Sequence, residues 1–257
     1  MDQTAPPGRD RDLAPVAALI GDPARAAMLT ALAGGQALPA GELAQRAGVH
    51  PATATAHLRR LVDGGLVRVR TQGRHRYHEL AGPQVAAVLE AIAQIAPPAP
   101  VRSFRQHRNA TALREARTCY DHLAGRRGVE LRDRLLAVDA LRLADDRDHV
   151  LTASGELLIG ALGIDPGPLA STRRVFARCC IDWTHRRAHL AGALPAAITA
   201  RFLALGWLAR STGRGLRVAP HYDQQLDQWL AGSTYLRGAS TASSPSRTHS
   251  EVQRLLP

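Results

Sequence analysis

The chain contains no lysine: all 33 of its basic residues are arginine, set against 22 acids, for a formal net charge of +11 over 257 residues. Alanine and leucine are also abundant, so the pattern reads as a GC-rich coding bias, and arginine content alone says little about a partner. Cysteine is scarce and odd in number. Cys119, Cys179 and Cys180 cannot close a disulfide framework and suit a reduced cytoplasm. No apolar run approaches the roughly 18 residues that a membrane span needs, because arginine or a polar residue interrupts each one. The N-terminal MDQTAPPGRDRD lacks the basic-then-apolar leader of a secreted protein. A glycine-rich phosphate loop, a nucleophile elbow and a dense carboxylate cluster are all missing, which argues against an enzyme. The remaining enzymatic reading, Cys119 or Cys180 as nucleophile with His122 or His189 as base, ranks last.

What is present is charge of one sign in one place. Residues 1–45 are net acidic, whereas residues 46–78 carry seven arginines (46, 59, 60, 68, 70, 74, 76) against a single acid, Asp63. His50, His57, His75 and His78 could add to the surplus. Positive charge gathered in a foldable unit implies a polyanionic partner better than charge spread evenly, and binds DNA by displacing counterions.

The local signals define the elements. Leu13–Ile20 and Pro23–Leu32 read as helices, the second opened by Asp22–Pro23 and closed by Gly34–Gly35. Leu38–Gly48 reads as a third helix with Leu43, Ala44 and Ala47 on its apolar face. Pro51 opens a fourth that runs to Gly64–Gly65 and buries Leu58, Leu61 and Val62. Strands are expected at Leu66–Thr71 and Arg76–Leu80 around a Gln72–Gly73–Arg74 turn. Pro83–Ala96 returns to helical spacing, with Val85, Val88, Leu89, Ile92 and Ile95 on one stripe. That stripe suits packing within the domain or on a second copy of the chain.

This order of helices, basic helix, β-wing and closing helix resembles the ArsR/SmtB family of bacterial winged-helix repressors. The strings that carry it are DPARAAMLTALAGG (22–35), GELAQRAGVHPATATAHLRRLVDGGLVRVRTQGRHRYHEL (41–80) and PQVAAVLEAIAQI (83–95). The resemblance covers about the first third of the chain. It implies a homodimer that occupies a palindromic operator and leaves it when a metal ion or other inducer binds. The familiar metal sites do not carry over. Glu42–Leu43–Ala44–Gln45–Arg46 holds no thiol where metal-sensing members have a cysteine pair, and the closing helix offers neither Asp nor His.

On duplex DNA the fourth helix would present His50, Thr53, Thr55, His57, Arg59 and Arg60, and the wing Arg68, Arg74 and Arg76. Arginine pairs with guanine O6 and N7, and threonine serves bases or phosphates. Pro51, Ala52 and Ala54 fall where related proteins carry polar side chains, so phosphate contact and shape reading should outweigh direct base reading.

The second half contains a degenerate repeat. ARTCYD at 116–121 recurs as ARCCID at 177–182, and HLAG at 122–125 recurs at 189–192 after six additional residues, Trp183 to Ala188. Each copy is read as helix–helix–hairpin–helix, with hairpins around Asp145–Asp148 and Ser211–Gly215, the two copies packing as one pseudo-symmetric domain. Cys119 and His122, three apart on an expected helix, have counterparts in Cys180 and His189, with Asp121 and Asp182 in step. Convergence of the two pairs would suit zinc. Three thiols from Cys119, Cys179 and Cys180 would suit a trivalent arsenical. The alternatives are a structural role, in which cysteine acts as a small apolar residue, and a thiol redox switch. Tyr120, Trp183, Phe202 and Trp207 suggest an apolar pocket for an organic inducer.

The expected protein is mainly α with small β-hairpins. Residues 1–12 form a flexible N-terminus, 13–98 a winged helix-turn-helix domain and 99–111 a linker. Residues 112–232 form a sensing or dimerisation domain of two pseudo-repeats (112–170 and 173–232), followed by a disordered tail, 233–257. The expected function is a cytoplasmic, homodimeric, sequence-specific repressor that binds a palindromic double-stranded operator, does not touch membranes, and responds to a metal or small-molecule inducer. A DNA-binding structural or antitoxin-like protein without an inducer is the alternative.

Overall fold

The computed structural model describes residues 10–97, 100, 103–211 and 213–240. It divides into two compact units, one through Val85 and one from Ala86 onward. In the first unit, α1 (Ala14–Ile20) and α2 (Pro23–Leu32) are followed by β1 (Leu38–Pro39), α3 (Ala40–Ala47) and α4 (Pro51–Asp63). Strands β2 (Val67–Gln72) and β3 (His75–Leu80) complete it, and α5 (Pro83–Ile95) straddles the division.

The caps explain the boundaries. Asp22 accepts from the Arg25 amide at 2.9 Å and Pro23 follows at the first helical position. The Arg25 side chain turns back to donate to the carbonyls of Leu19 (2.7 Å) and Ala18 (2.8 Å), satisfying acceptors at the end of α1. Gly48, at φ +66, closes α3 in the left-handed conformation. The expected helix 38–48 is shorter than its apolar pattern suggested. Leu38 precedes a proline and is therefore pushed into extended backbone, where it pairs with His78 of β3. The sheet order is β1–β3–β2, and the wing turn narrows to Gly73–Arg74, with Gly73 at φ +57. Met28, Leu29, Leu32, Leu43, Leu58, Leu61, Val67 and Leu80 form the core of this unit. Ala54 is also fully buried, so it faces the core and not the DNA groove.

The second unit continues with α6 (Phe104–Glu115), so the expected linker 99–111 is helical from residue 104. Ser103 caps it by accepting from the Gln106 amide. Then come β4 (Arg117–Cys119), β5 (His122–Ala124), α7 (Arg126–Ala137), β6 (Leu141–Leu143), β7 (His149–Leu151) and α8 (Ala153–Ala161). After the short α9 (Pro166–Ala170), the same series returns as β8 (Arg178–Ile181), β9 (Ala188–Ala191), α10 (Ala193–Ala204), β10 (Leu208–Arg210), β11 (Leu216–Val218) and α11 (Tyr222–Ser240). Each repeat is therefore hairpin–helix–hairpin–helix. The segments 116–124 and 177–191, expected to begin with a helix, are antiparallel hairpins. The tail expected from residue 233 is helical to Ser240, because α11 is anchored by Leu226, Trp229 and Leu230 in the core and its backbone hydrogen bonding propagates onward. Residues 1–9, part of the Pro-rich break (98–99), and 241–257 lie outside the described residues.

The two copies exchange backbone hydrogen bonds in matched pairs. Thr118 N donates to Arg214 O and Leu216 N to Ala116 O; at the equivalent positions Cys179 N donates to Arg147 O and His149 N to Ala177 O. The first hairpin of each copy thus lies beside the second hairpin of the other, which is the mark of a pseudo-twofold axis. The repeated HLAG has a backbone reason. Gly125 and Gly192 precede α7 and α10 at φ +80 and +127. A Cβ on Gly192 would lie 2.6 Å from the carbonyl oxygens of Val175 and Phe176, which accept from Ala193 and Leu194. Gly192→Ala is expected to cost about 3 kcal/mol. Gly160→Ala, within α8 and in open space, should be neutral or stabilising by up to ~1 kcal/mol. Urea unfolding of both variants checks this; equal effects would contradict the backbone argument.

Candidate nucleic-acid interface and a buried cysteine–histidine cluster

Helix α4 starts where it does because His50 accepts from the Ala52 amide through Nδ1 and Pro51 needs no partner for its missing N–H. Of the residues expected on its outer face, Thr53, Thr55, Arg59 and Arg60 are exposed. The Thr55 hydroxyl donates to Pro51 O at 3.0 Å, and Arg59 lies 3.8 Å from Asp63, a distance that constrains an exposed side chain little. His57 departs from expectation. It is 17 % exposed, with Nδ1 3.7 Å from the Asp22 carboxylate and 3.5 Å from the Arg25 guanidinium, so it faces the start of α2. The cause is the helical spacing: three residues past the buried Ala54, His57 lies on the inner side of α4.

On the wing, Arg68 pairs with Glu79 across the strands at 2.8 Å. Arg74 at the turn and Arg76 beyond it are exposed; Arg70, not singled out from the sequence, is exposed as well, on the opposite face of the hairpin from Arg76 and beside Arg68, since the register pairs Arg70 with Tyr77 and Arg76 with Thr71. Arg60, Arg70, Arg74 and Arg76 make no ion pair among the described residues. Two cations of the basic block contribute less: Arg46 is held by Glu42, and His78 is buried, its pKa pushed down by desolvation, so it stays neutral.

On α5 only Ala86 and Glu90 are buried. Val88, Ile92 and Ile95 of the apolar stripe are exposed, Ile95 by 86 %, and Val85 and Leu89 are half-buried. Burial of Glu90 follows from charge. It pairs with Arg214 and lies 3.7 Å from Arg117, which is fully buried and 2.9 Å from Asp182. Both guanidiniums stack over Trp183, at 4.8 and 5.7 Å.

The β-hairpin reading changes the geometry of the cysteines and histidines. Cys119 faces His122 directly across β4–β5, and Cys180 faces His189 across β8–β9. The pseudo-twofold brings the pairs together: the sulfurs are 4.0 Å apart and the imidazoles stack with centroids 5.2 Å apart. One donor atom from each of the four residues lies within 4.8 Å of the others. The Cys180 thiol is held well below its ordinary value by hydrogen bonding from Cys119, then by His122 and His189, whereas Cys119 is pushed up by sharing that hydrogen bond and by burial. Burial opposes a charge on His122, but Asp121 and Cys180 raise its pKa overall.

Cys179 does not join. Neighbouring strand residues point to opposite faces, and its sulfur instead lies 4.0 Å from Nε2 of His149. The three-thiol set for an arsenical is therefore not assembled. Nor is the aromatic pocket. Phe202 and Trp207 pack at 4.7 Å in the core with Tyr222 and Trp229, Trp183 lies under the two arginines, and Tyr120 occupies the β4–β5 turn. Asp121 and Asp182, read from the sequence only as neighbours of the cysteines, bind arginines: Asp121 accepts from Arg174 at 2.6 Å twice, and Asp182 pairs with Arg117.

Residues 20–70 match the model of a helix-turn-helix domain family. A protein of Bacillus subtilis (strain 168) described as the uncharacterized HTH-type transcriptional regulator YdfF is 41 % identical over 199 residues, which are 77 % of this chain and 88 % of that protein. Among solved structures, the homodimeric winged helix-turn-helix domain of Mb0332 from Mycobacterium bovis is 28 % identical, covering 34 % of this chain and 86 % of its own, at a TM-score of 0.30. The cadmium sensor CMTR from Mycobacterium tuberculosis is 30 % identical, covering 36 % and 100 %, at a TM-score of 0.29. No helix among the described residues is long and apolar enough to cross a membrane.

Proposed function

We propose, from the premise that this chain belongs to the helix-turn-helix transcriptional regulators, in the winged ArsR/SmtB form that its first unit resembles, that it is a cytoplasmic, homodimeric repressor. Two copies would read a palindromic operator, each laying α4 in a major groove and its β2–β3 wing along the neighbouring backbone. The observation that carries this reading is the set of exposed arginines on one helix and one hairpin: Arg59 and Arg60 on α4, Arg70, Arg74 and Arg76 on the wing. Thr53, exposed and with no back-bond to the helix among the described residues, is the second candidate for a base contact. His57 is better placed to fix α4 against α2 than to touch DNA.

Dimerisation falls to α5. An apolar face that includes Val88, Ile92 and Ile95 costs free energy in water, at about 25 cal/mol per Å², and a second copy of the same face would remove that cost. The occupied operator excludes the transcription machinery. An inducer that favours a dimer with misplaced α4 helices lowers operator affinity by shifting the population.

Arg59→Ala is expected to weaken operator binding by ~1–3 kcal/mol and to relax the sequence preference, whereas Arg74→Ala should weaken all sequences alike. Mobility shifts on operator and scrambled duplexes measure both. Unchanged affinity in both variants would remove the assignment.

A further inference from the structure

Two features of the second unit are left over by the regulator reading: why histidine, a polar residue, is buried twice at the pseudo-twofold axis, and why a cysteine faces each one. His189 is 0 % exposed and His122 is 5 % exposed. Among the described residues, neither ring nitrogen of His189, nor Nε2 of His122, has a nitrogen or oxygen hydrogen-bond partner; what lies against the two imidazoles is the Cys180 sulfur. A buried polar group normally finds one, and leaving it without costs about 1–3 kcal/mol. If the cluster were only core, leucine or phenylalanine would fill the same space without that cost. Thiols explain themselves as small apolar residues, but the imidazoles do not. A Cys119–Cys180 disulfide would likewise leave the imidazole nitrogens unaccounted for.

We propose that Cys119, His122, Cys180 and His189 form a binding site for one divalent zinc-class ion, with two ligands from each repeat. The donor set of two thiolates and two imidazoles is that of tetrahedral zinc. In such a site the ligand atoms stand roughly 3.3–3.8 Å apart, given Zn–S and Zn–N bonds of about 2.3 and 2.0–2.1 Å. The four donor atoms, already within 4.8 Å of one another, close on the ion by about 1 Å at most. Binding forms two metal–sulfur and two metal–nitrogen bonds and releases the remaining thiol protons to water. Two thiolates, two neutral imidazoles and a dication sum to no net charge, which a buried site tolerates best.

The surroundings agree. Asp121 lies 3.5 Å from Nδ1 of His122 and is itself gripped by Arg174 through two hydrogen bonds. A carboxylate behind a ligating histidine fixes its ring and raises its basicity. Four protein ligands leave no open position, so the ion straps the repeats together instead of carrying out chemistry. This inference stands apart from the DNA-binding reading, because the site is built wholly within the second unit.

The test uses the full chain, reduced and stripped of metal, titrated with Co²⁺ and then Zn²⁺. One equivalent of Co²⁺ is expected to bind with the absorption of a tetrahedral ion and a thiolate-to-cobalt charge-transfer band, both abolished by one equivalent of Zn²⁺. Cys180→Ser and His189→Ala should weaken Zn²⁺ binding about 100-fold, Cys179→Ser should not, and Zn²⁺ should raise the Tm of the native chain and of Cys179→Ser but not of the two ligand variants. Should either ligand variant fail to fold, the stoichiometry and spectrum of the native chain decide the matter. The proposal is overturned by the absence of a tetrahedral Co²⁺ spectrum, by a spectrum that persists in both Cys119→Ser and Cys180→Ser, or by reduced protein that binds no ion while the oxidised form carries a Cys119–Cys180 disulfide. Operator affinity plays no part in these readouts, so failure here leaves the regulator reading intact.

Discussion

Asp182→Ala is expected to destabilise the second unit by about 3–5 kcal/mol, the cost of stripping one partner from a buried ion pair. Asp182 is fully buried and its carboxylate serves several groups at once. Oδ2 accepts from the Gly125 amide at 2.6 Å and faces Arg117 at 2.9 Å; Oδ1 accepts from the amides of Thr184 (2.9 Å) and His185 (3.0 Å). Arg117 is equally closed to solvent, and without Asp182 its nearest carboxylate is Glu90 at 3.7 Å, already shared with Arg214. Two cations over one indole would then share one acid. A domain of this size is stable by only about 5–15 kcal/mol, so the substitution removes a large part of the total. Asp182→Asn keeps an acceptor for the amides but loses the charge, and its cost should fall between zero and that of alanine. All three tryptophans, Trp183, Trp207 and Trp229, belong to the second unit. Tryptophan fluorescence during urea unfolding therefore follows this unit alone. A loss below about 1 kcal/mol would show that Glu90 suffices to balance Arg117.

Operator affinity is expected to fall roughly a thousand-fold between about 50 and 200 mM salt. If Arg60, Arg74 and Arg76 each neutralise one phosphate, a dimer makes six such contacts and the log–log slope is about −5. None of the three has an acidic partner among the described residues to compete with DNA. Arg68 is left out because Glu79 holds it at 2.8 Å, so that forming a phosphate contact would first break a pair. Arg74→Ala in both protomers should make the slope shallower by about two, and Arg68→Ala should change it far less. Fluorescence anisotropy on a labelled duplex across a salt series measures each slope. A slope near zero, or one equally altered by Arg68 and Arg74, would refute the cationic face as drawn.

Element boundaries were most legible where proline or glycine punctuates the chain. Pro23 and Pro51 start α2 and α4 at the positions expected from sequence, and Pro83 starts α5. These residues act through their own backbone, so a local reading suffices. The hairpin at 117–124 was harder to read for the same reason in reverse. Its two-residue turn is Tyr120–Asp121 with Tyr120 at φ +61, a conformation that usually advertises itself with glycine or asparagine. Without that signal, the Cys119–His122 spacing looked helical. Leu38 was misplaced because two residues of strand leave no periodicity to detect, and its state was decided by pairing with β3. His57 and Ala54 show a further limit: a helical stripe gives the buried arc only to within a residue on either side, and contact with α2 and the core set its edge.

Composition, charge distribution and internal repetition were properties of the sequence by itself. They were enough to imply a basic winged helix-turn-helix unit followed by a two-copy domain, because caps, hydrophobic period and clustered arginine act over a few residues. The tertiary structure decided what the second half does with its cysteines and histidines. Cys119 and Cys180 are 61 positions apart and His122 and His189 are 67, and no local rule brings them within reach. Only the exchange of hairpins about the pseudo-twofold axis does so, by buried packing and by backbone hydrogen bonds between the copies. The same packing left Cys179 facing His149, separated the aromatic residues expected to form one pocket, and buried Glu90 of α5, outside its apolar stripe, against two arginines.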